Sequence, residues 1–324
     1  MPSDGSNARH PHRWGFADTR LELDGPRSVR MTGTRYPISG QSMPHLIPFV
    51  EQMLGLPFDA GAAMRDSSPE VPPPVLNPAL MTALARLIPG DRLSTAADVR
   101  LIHSHGQLSI GEVDQVLYGG RLARLVDVVV EPESEDEVRS IVAAAAQHDA
   151  CLVPYGGGTN VSGALLCPAD ETRTIVSLDM RRMRRVLAID TANRCALVEA
   201  GITGAELEAA LAANGYTCGH APDSLEFSTL GGWIATSASG MKKNRYGNIE
   251  DIVIEATLVA PSGTVETRRP AARTSTGTQP LAMFFGSEGN FGVITKALIA
   301  IHPVPQACRS DRWSSAASTT ASPS

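Results

Sequence analysis

The sequence predicts an α+β fold, two α+β subdomains behind a mostly helical leading segment. Three observations predict it. A triple-glycine loop, Gly156, Gly157 and Gly158, follows a short apolar strand, and no helix opens directly after it. The capped helical stretches stand before or between strands rather than alternating with them as in a doubly wound sheet. The remaining strands come in pairs separated by turn residues, 185–190 with 195–200 and 252–259 with 265–267, a pattern of hairpin pairing.

The totals set the bounds. At 324 residues the chain has room for two ordinary domains, and a hydrophobic fraction of 43% supplies a sizeable core. A net charge of −6 excludes general affinity for nucleic acid. The five cysteines, at 151, 167, 195, 218 and 308, form no C-x-x-C pair. That argues against a disulfide framework or a zinc site and suits a reducing compartment. No apolar run reaches the length of a membrane span, and residues 1–12 lack the apolar core of a signal peptide.

In chain order, residues 1–13 read as disordered and 14–121 as the leading segment. Leu21, Leu23 and Gly25 propose a hairpin within 14–36. Leu46, Ile47, Val50, Met53 and Leu54 form a helical stripe closed by Gly55. Its polar face carries Glu51 and Gln52 and no basic residue, so it reads as a helix packed on the core rather than one lying on a membrane. Residues 57–78 are rich in Pro, Ser and Asp and read as a linker. Residues 79–120 read as one or two helices. His103 and His105, two apart, fall on different sides of a helix and read as packed or exposed side chains rather than metal ligands.

Residues 122–305 read as one domain. A β-branched strand at 126–130 precedes a capping box, Ser134 with Glu137, whose helix shows Val138, Ile141, Val142 and Ala145 on one face. A strand at 151–154 enters the glycine loop, and a second capping box, Thr203 with Glu206, opens a helix closed by Gly215. A polar loop at 219–229 leads into a short helix at 230–239 with small residues Gly231, Gly232, Ala235 and Ala238. The basic run 241–245 reads as a solvated helix end. Gly286, Gly289 and Gly292 form a second glycine loop before a strand at 297–302. From 306 to 324 the text is mostly Ser, Ala and Thr and reads as a disordered tail.

Glycine lets the backbone take positive φ and approach a ligand closely. Successive free amides in such a turn make an anion-binding concavity, to which Thr159, Asn160 and Ser162 add polar side chains. A phosphate or pyrophosphate is the natural guest, and a plain surface loop is the alternative. The dinucleotide fingerprint is excluded by Val161 where glycine is required, and the Walker loop by Ala164 and Leu165 where Lys and Ser/Thr are required.

The run 219–229, Gly-His-Ala-Pro-Asp-Ser-Leu-Glu-Phe-Ser-Thr, joins the run 238–251, Ala-Ser-Gly-Met-Lys-Lys-Asn-Arg-Tyr-Gly-Asn-Ile-Glu-Asp. With the loop 154–159, Cys167 to Arg173 and Arg35-Tyr36-Pro37, they resemble the alkyldihydroxyacetonephosphate synthase family over about 14–305. These are flavoenzymes of ether-lipid synthesis with a PCMH-type FAD-binding domain of the vanillyl-alcohol-oxidase-like superfamily. The resemblance implies FAD contacts from four segments. The first is Pro154, Tyr155, Gly156, Gly157, Gly158, Thr159 and Asn160. The second is Asp223, Ser224, Leu225, Glu226, Phe227, Ser228 and Thr229. The third is Thr236, Ser237, Ala238 and Ser239, and the fourth is Glu288, Gly289, Asn290, Phe291, Gly292, Val293 and Ile294. Departures are Asn160 where the family often has Ser, Ala221 where it often has Glu, and Asn290-Phe291 where it often has Thr-Leu.

The family exchanges the acyl chain of acyl-dihydroxyacetone phosphate for a long-chain alcohol, with the flavin N5 as a covalent trap and no net redox change. Its catalytic tyrosine, histidines and phosphate-binding arginine lie in a C-terminal cap domain that this sequence does not contain. The expectation is therefore a chain shortened after Gln306, with no catalytic residue assigned, no metal, and His220 as a structural histidine. The resemblance further implies peroxisomal or glycosomal location, peripheral membrane contact and a homodimer, although no targeting signal is visible. A flavin-dependent 2-hydroxyacid dehydrogenase or oxidase, and a non-catalytic flavin-binding module, stand as alternatives.

Overall fold

The computed structural model describes residues 8–10, 15–59, 70–106, 122–267 and 277–307. The expectations for 1–7, 11–13, residues 107–120 of the 79–120 stretch and the tail from 308 lie outside these residues.

The leading segment opens with a hairpin, β1 (Leu21–Gly25) against β2 (Ser28–Met31), with Leu21 opposite Met31. A short β3 (Ser42–Met43) adds antiparallel to β2. Helix α1 (Leu46–Leu54) ends at Gly55, which takes φ 65° and returns its N–H to the Glu51 carbonyl, the left-handed cap that glycine alone adopts without strain. Only Ile47 of α1 is buried, whereas Phe49, Met53 and Leu54 are 58%, 69% and 66% exposed. The helix therefore does not pack its stripe on the core. It rests on β2 of the small β1–β3 sheet, with Leu46 half-buried beside Ile47.

Residues 8–10, expected to be disordered, are held against the next segment. Arg9 bridges Phe16, and the Ala17 N–H donates to the Ala8 carbonyl.

Helix α2 (Pro78–Leu87) is capped by Asn77, whose side chain accepts from the Ala79 and Leu80 amides, with Pro at the first helical position where no donor is missed. After it come β4 (Leu93–Ser94), α3 (Ala97–Ile102), β5 (Val128–Val130), α4 (Glu135–Gln147), β6 (Cys151–Tyr155) and β7 (Ile175–Asp179). They build one four-stranded sheet in the order β4-β5-β7-β6, parallel except for β4. Leu80, Leu84 and Ile88 share a core with Val128, Val138, Ile141 and Val176.

Packing thus joins the stretch before residue 122 to the domain after it. The expected linker is likewise pinned over its described part. The Val75 N–H donates to Asp127 Oδ1 at 2.8 Å, and the Thr174 hydroxyl donates to the Val75 carbonyl at 2.9 Å.

The second subdomain carries β8 (Val186–Asp190), β9 (Cys195–Glu199), α5 (Gly204–Ala212), β10 (Tyr216–Thr217), α6 (Leu230–Ala235), α7 (Lys243–Tyr246) and α8 (Ile249–Ile252). The strands β11 (Val253–Ala260), β12 (Gly263–Glu266), β13 (Val293–Ala300) and β14 (His302–Pro303) complete it. Five of its strands form an antiparallel sheet, β12-β11-β13-β9-β8, and β10 pairs with β14. Leu207, Leu211, Trp233 and Ile234 bury against Ala297 and Ile299 of that sheet.

Both arms of the Thr203–Glu206 capping box form. At α4 only one does: Ser134 accepts from the Glu137 amide, while the Glu137 carboxylate takes the Glu133 amide and Arg92 instead. Helix α6 stops at Ala235, short of the expected 239, and Ser237 takes φ +48°. β13 begins at Val293, so Val293 and Ile294 are strand rather than loop.

Candidate functional site

The C-terminal end of β6 delivers the chain to the boundary between the two subdomains. There the glycine loop, the start and end of α6, and the loop before β13 surround a cleft of about 380 Å³, within the ordinary range for a small-molecule site.

Close approach explains the glycines. A Cβ on Gly157 would lie 2.3 Å from the Phe227 carbonyl, and one on Gly289 would lie 2.9 Å from the Pro154 ring. The amides of Gly157 and Gly158 have no hydrogen-bond partner among the described residues. The loop is thus a set of unspent donors at the wall of a cleft, which is what a pyrophosphate requires.

The cleft gathers Pro154 to Asn160, Ser224, Ser228, Thr229, Thr236 to Ser239, Glu288, Gly289 and Gly292 to Ile294 into one lining. It leaves out Asp223, Leu225, Glu226, Phe227, Asn290 and Phe291. Glu226 accepts from the Tyr36 hydroxyl at 2.7 Å, and Phe227 stacks on Phe16 at 4.4 Å. Asn290 and Phe291 line a separate depression of about 230 Å³ beside α4. Leu225 packs against the second core.

Several lining side chains already have partners. Ser228 accepts from the Trp233 indole at 2.8 Å, Thr236 donates to the Gly232 carbonyl at 2.9 Å, and Ser239 donates to Asn248 at 2.9 Å. The Asn160 side-chain oxygen accepts from the Ala164 amide at 3.0 Å. The backbone of these segments, more than their hydroxyls, is what faces a guest. Ser162 donates to Glu288 Oε1 at 2.6 Å and ties the two glycine-bearing loops together across the cleft. Glu288 itself takes φ +46°, a conformation that costs a non-glycine residue on the order of 1 kcal/mol.

Beneath the loop, sequence reading missed a polar cluster. Asp179 is buried and receives Arg181 and, at 3.0 Å, His103. Burial alone would raise its carboxyl. Arg181 and His103 prevail and hold it far below the usual carboxylate range. His103 also lies against Tyr155 at 4.1 Å. His103 is therefore a packed histidine, and no group of His, Cys, Asp or Glu among the described residues could hold a metal ion. The signal was present in the sequence only as an unexplained Asp179-x-Arg181 at a strand end.

His220 is 2% exposed and does not line the cleft. It meets the Trp233 ring edge-on at 4.6 Å, and neither ring nitrogen has a partner. Among the described residues, the ionisable side chains lining the cleft are Tyr155 and Glu288, and no cation lines it.

A family profile described as an FAD binding domain matches residues 126–268. Fold and site together thus define a flavoprotein of the FAD-binding α+β class. The chain is 39% identical to alkyldihydroxyacetonephosphate synthase of Caenorhabditis elegans over 297 residues, 91% of this chain and 49% of that protein. It is 34% identical to that of Trypanosoma brucei brucei over 308 residues, 93% of this chain and 49% of that one. A solved alkyldihydroxyacetonephosphate synthase superposes with a TM-score of 0.82 at 35% identity, covering 92% of this chain and 54% of the other. D-lactate dehydrogenase [cytochrome] of Arabidopsis thaliana is 33% identical over 217 residues, 67% of this chain and 36% of that one. In sequence and fold the chain resembles the N-terminal and FAD-binding parts of the alkyldihydroxyacetonephosphate synthases, and it spans about half the length of those relatives.

Proposed function

We propose that this chain is the flavin-holding half of an alkyldihydroxyacetonephosphate synthase. Such an enzyme replaces the acyl chain of acyl-dihydroxyacetone phosphate with a long-chain alcohol in ether-lipid synthesis. The carrying observation is the cleft between the subdomains, walled by the unpartnered amides of Gly157 and Gly158 and by the glycine loop before β13. FAD would be held in it, with the amides of residues 156–159 binding its pyrophosphate. Bound FAD supplies a nucleophilic ring nitrogen for the exchange.

The chain's own residues bind and orient the cofactor. Trp233, Met180 and Ala200 wall the cleft with apolar surface, and the free amides hold the anion. No acid–base pair and no cation for a substrate phosphate lines the cleft among the described residues. Those groups come from the part of the relatives that this chain does not span. A peroxisomal or glycosomal location, contact with a membrane surface and a homodimer belong to the same reading.

The test has two arms. Purified protein binds FAD and is yellow, whereas Gly157→Val, which drives a branched side chain into the Phe227 carbonyl, loses the colour. Full flavin occupancy in that variant would remove the pyrophosphate from this loop. With FAD, acyl-dihydroxyacetone phosphate and labelled hexadecanol, residues 1–324 give no alkyl product, because general acid–base help worth about 10²–10⁴-fold is missing. Clear product would place the catalytic groups inside this chain.

A further inference from the structure

We propose that Arg9 is a positioning residue for the cofactor's pyrophosphate cradle, acting from behind the glycine loop by holding the Gly157 carbonyl. This rests on the reading that the cleft takes FAD. Arg9 lies far outside the stretch matched by the FAD-binding profile, which begins at 126, and it does not line the cleft.

Its guanidinium donates from Nη1 to the Gly157 carbonyl and to the Tyr155 hydroxyl at 3.3 Å. From Nη2 it reaches the Phe227 carbonyl at 3.5 Å, and it sits 4.9 Å over the Phe227 ring. One cation thus ties the end of β6, the glycine loop and the 219–229 loop at a single point. Every described peptide bond is trans, so a carbonyl and the next amide N–H lie in one plane and point in opposite directions across the C–N bond. With the Gly157 carbonyl turned back onto Arg9, the Gly158 N–H is turned the other way, and it has no partner of its own.

Three glycines in a row have more conformational freedom than any other tripeptide. A free loop would spend that freedom each time it bound an anion. Tyr155 and Phe227 limit it sterically, since Cβ atoms on Gly158 and Gly157 would strike them at 2.5 and 2.3 Å. Arg9 adds a polar fastener, and it places a positive charge behind a loop whose guest carries negative charge.

Arg9 is itself held in place. Its backbone bridges Phe16, and Phe16 stacks on Phe227 at 4.4 Å with the Arg35 guanidinium 3.6 Å above it. Arg9 and Phe16 are thereby docked on the same loop that Arg9 reaches.

The experiment uses the full chain with Arg9→Ala and Arg9→Lys. Dissociation constants for FAD and riboflavin are read by flavin fluorescence, that for ADP by competition, and melting temperature is measured without ligand. Arg9→Ala is expected to weaken FAD and ADP at least tenfold while riboflavin, which has no pyrophosphate, is unchanged. Arg9→Lys restores part of the loss. The ratio of ADP to riboflavin affinity decides. An unchanged ratio, whether because neither affinity moves or because both fall together with the ligand-free melting temperature, overturns the proposal. Wild-type protein that binds neither FAD nor ADP would overturn the cleft reading first and the role of Arg9 with it.

Discussion

At the scale of single residues, His220 is a buried ring whose titration is displaced from its solution value. Burial, against the pull of Glu250 and Glu208, pushes its pKa down to about 4 from 6.5. The unfolded chain takes up a proton below pH 6.5 and the folded chain does not until about 4. His220 therefore costs no stability at neutral pH and removes it as pH falls through that window. The loss between pH 7 and pH 5 is about 2 kcal/mol. Urea unfolding at the two pH values measures it, and His220→Gln should shrink the difference by about that amount. An equal pH dependence in variant and wild type would mean that the ring is protonated in the fold.

At the scale of elements, the cleft is set by where strands end. β6 stops at Tyr155 and β13 starts at Val293, so two loops face one another with the Ser162–Glu288 hydrogen bond between them. Hydrogen bonds to charged groups contribute about 1.5–3 kcal/mol when sheltered, and this one is exposed. Ser162→Ala should therefore raise the FAD dissociation rate only about threefold to tenfold, which is about 1 kcal/mol, with the ligand-free melting temperature unchanged. Stopped-flow release of flavin reads the rate. An unaltered rate would show that the two loops are not held together over the cofactor.

At the scale of the whole molecule, α2 belongs to the flavin domain. Leu80, Leu84 and Ile88 are almost wholly buried, at about 1.5–3 kcal/mol for each, a sum comparable with the whole stability of an ordinary domain. Arg92 adds a paired contact to Glu137 of α4. A fragment of residues 122–307 should show no cooperative melting transition, whereas 70–307 should melt cooperatively. A sharp transition in the shorter fragment would restore the boundary at 122 that the sequence suggested.

Much was legible from local signals, because local signals have local causes. Capping at Ser134 and Thr203, the left-handed close of α1 at Gly55, and the pairing of strands around turn residues depend on neighbours within a few positions. The glycine loop suggested an anion site for the same reason, with a plain surface loop as the alternative. Elsewhere the cause lay far along the chain. α1 was read as packed because its stripe is apolar, and whether a partner surface exists is not written in the stripe. Residues 8–10 and 70–77 looked unstructured by composition. They are ordered by Phe227 and by Asp127, 218 and 52 positions away. The sequence by itself determined the fold class and pointed to the loop proposed to face a phosphate. Only the tertiary structure decided which segments close around it, because contacts between distant residues form at the meeting of two subdomains and leave no periodic trace in either.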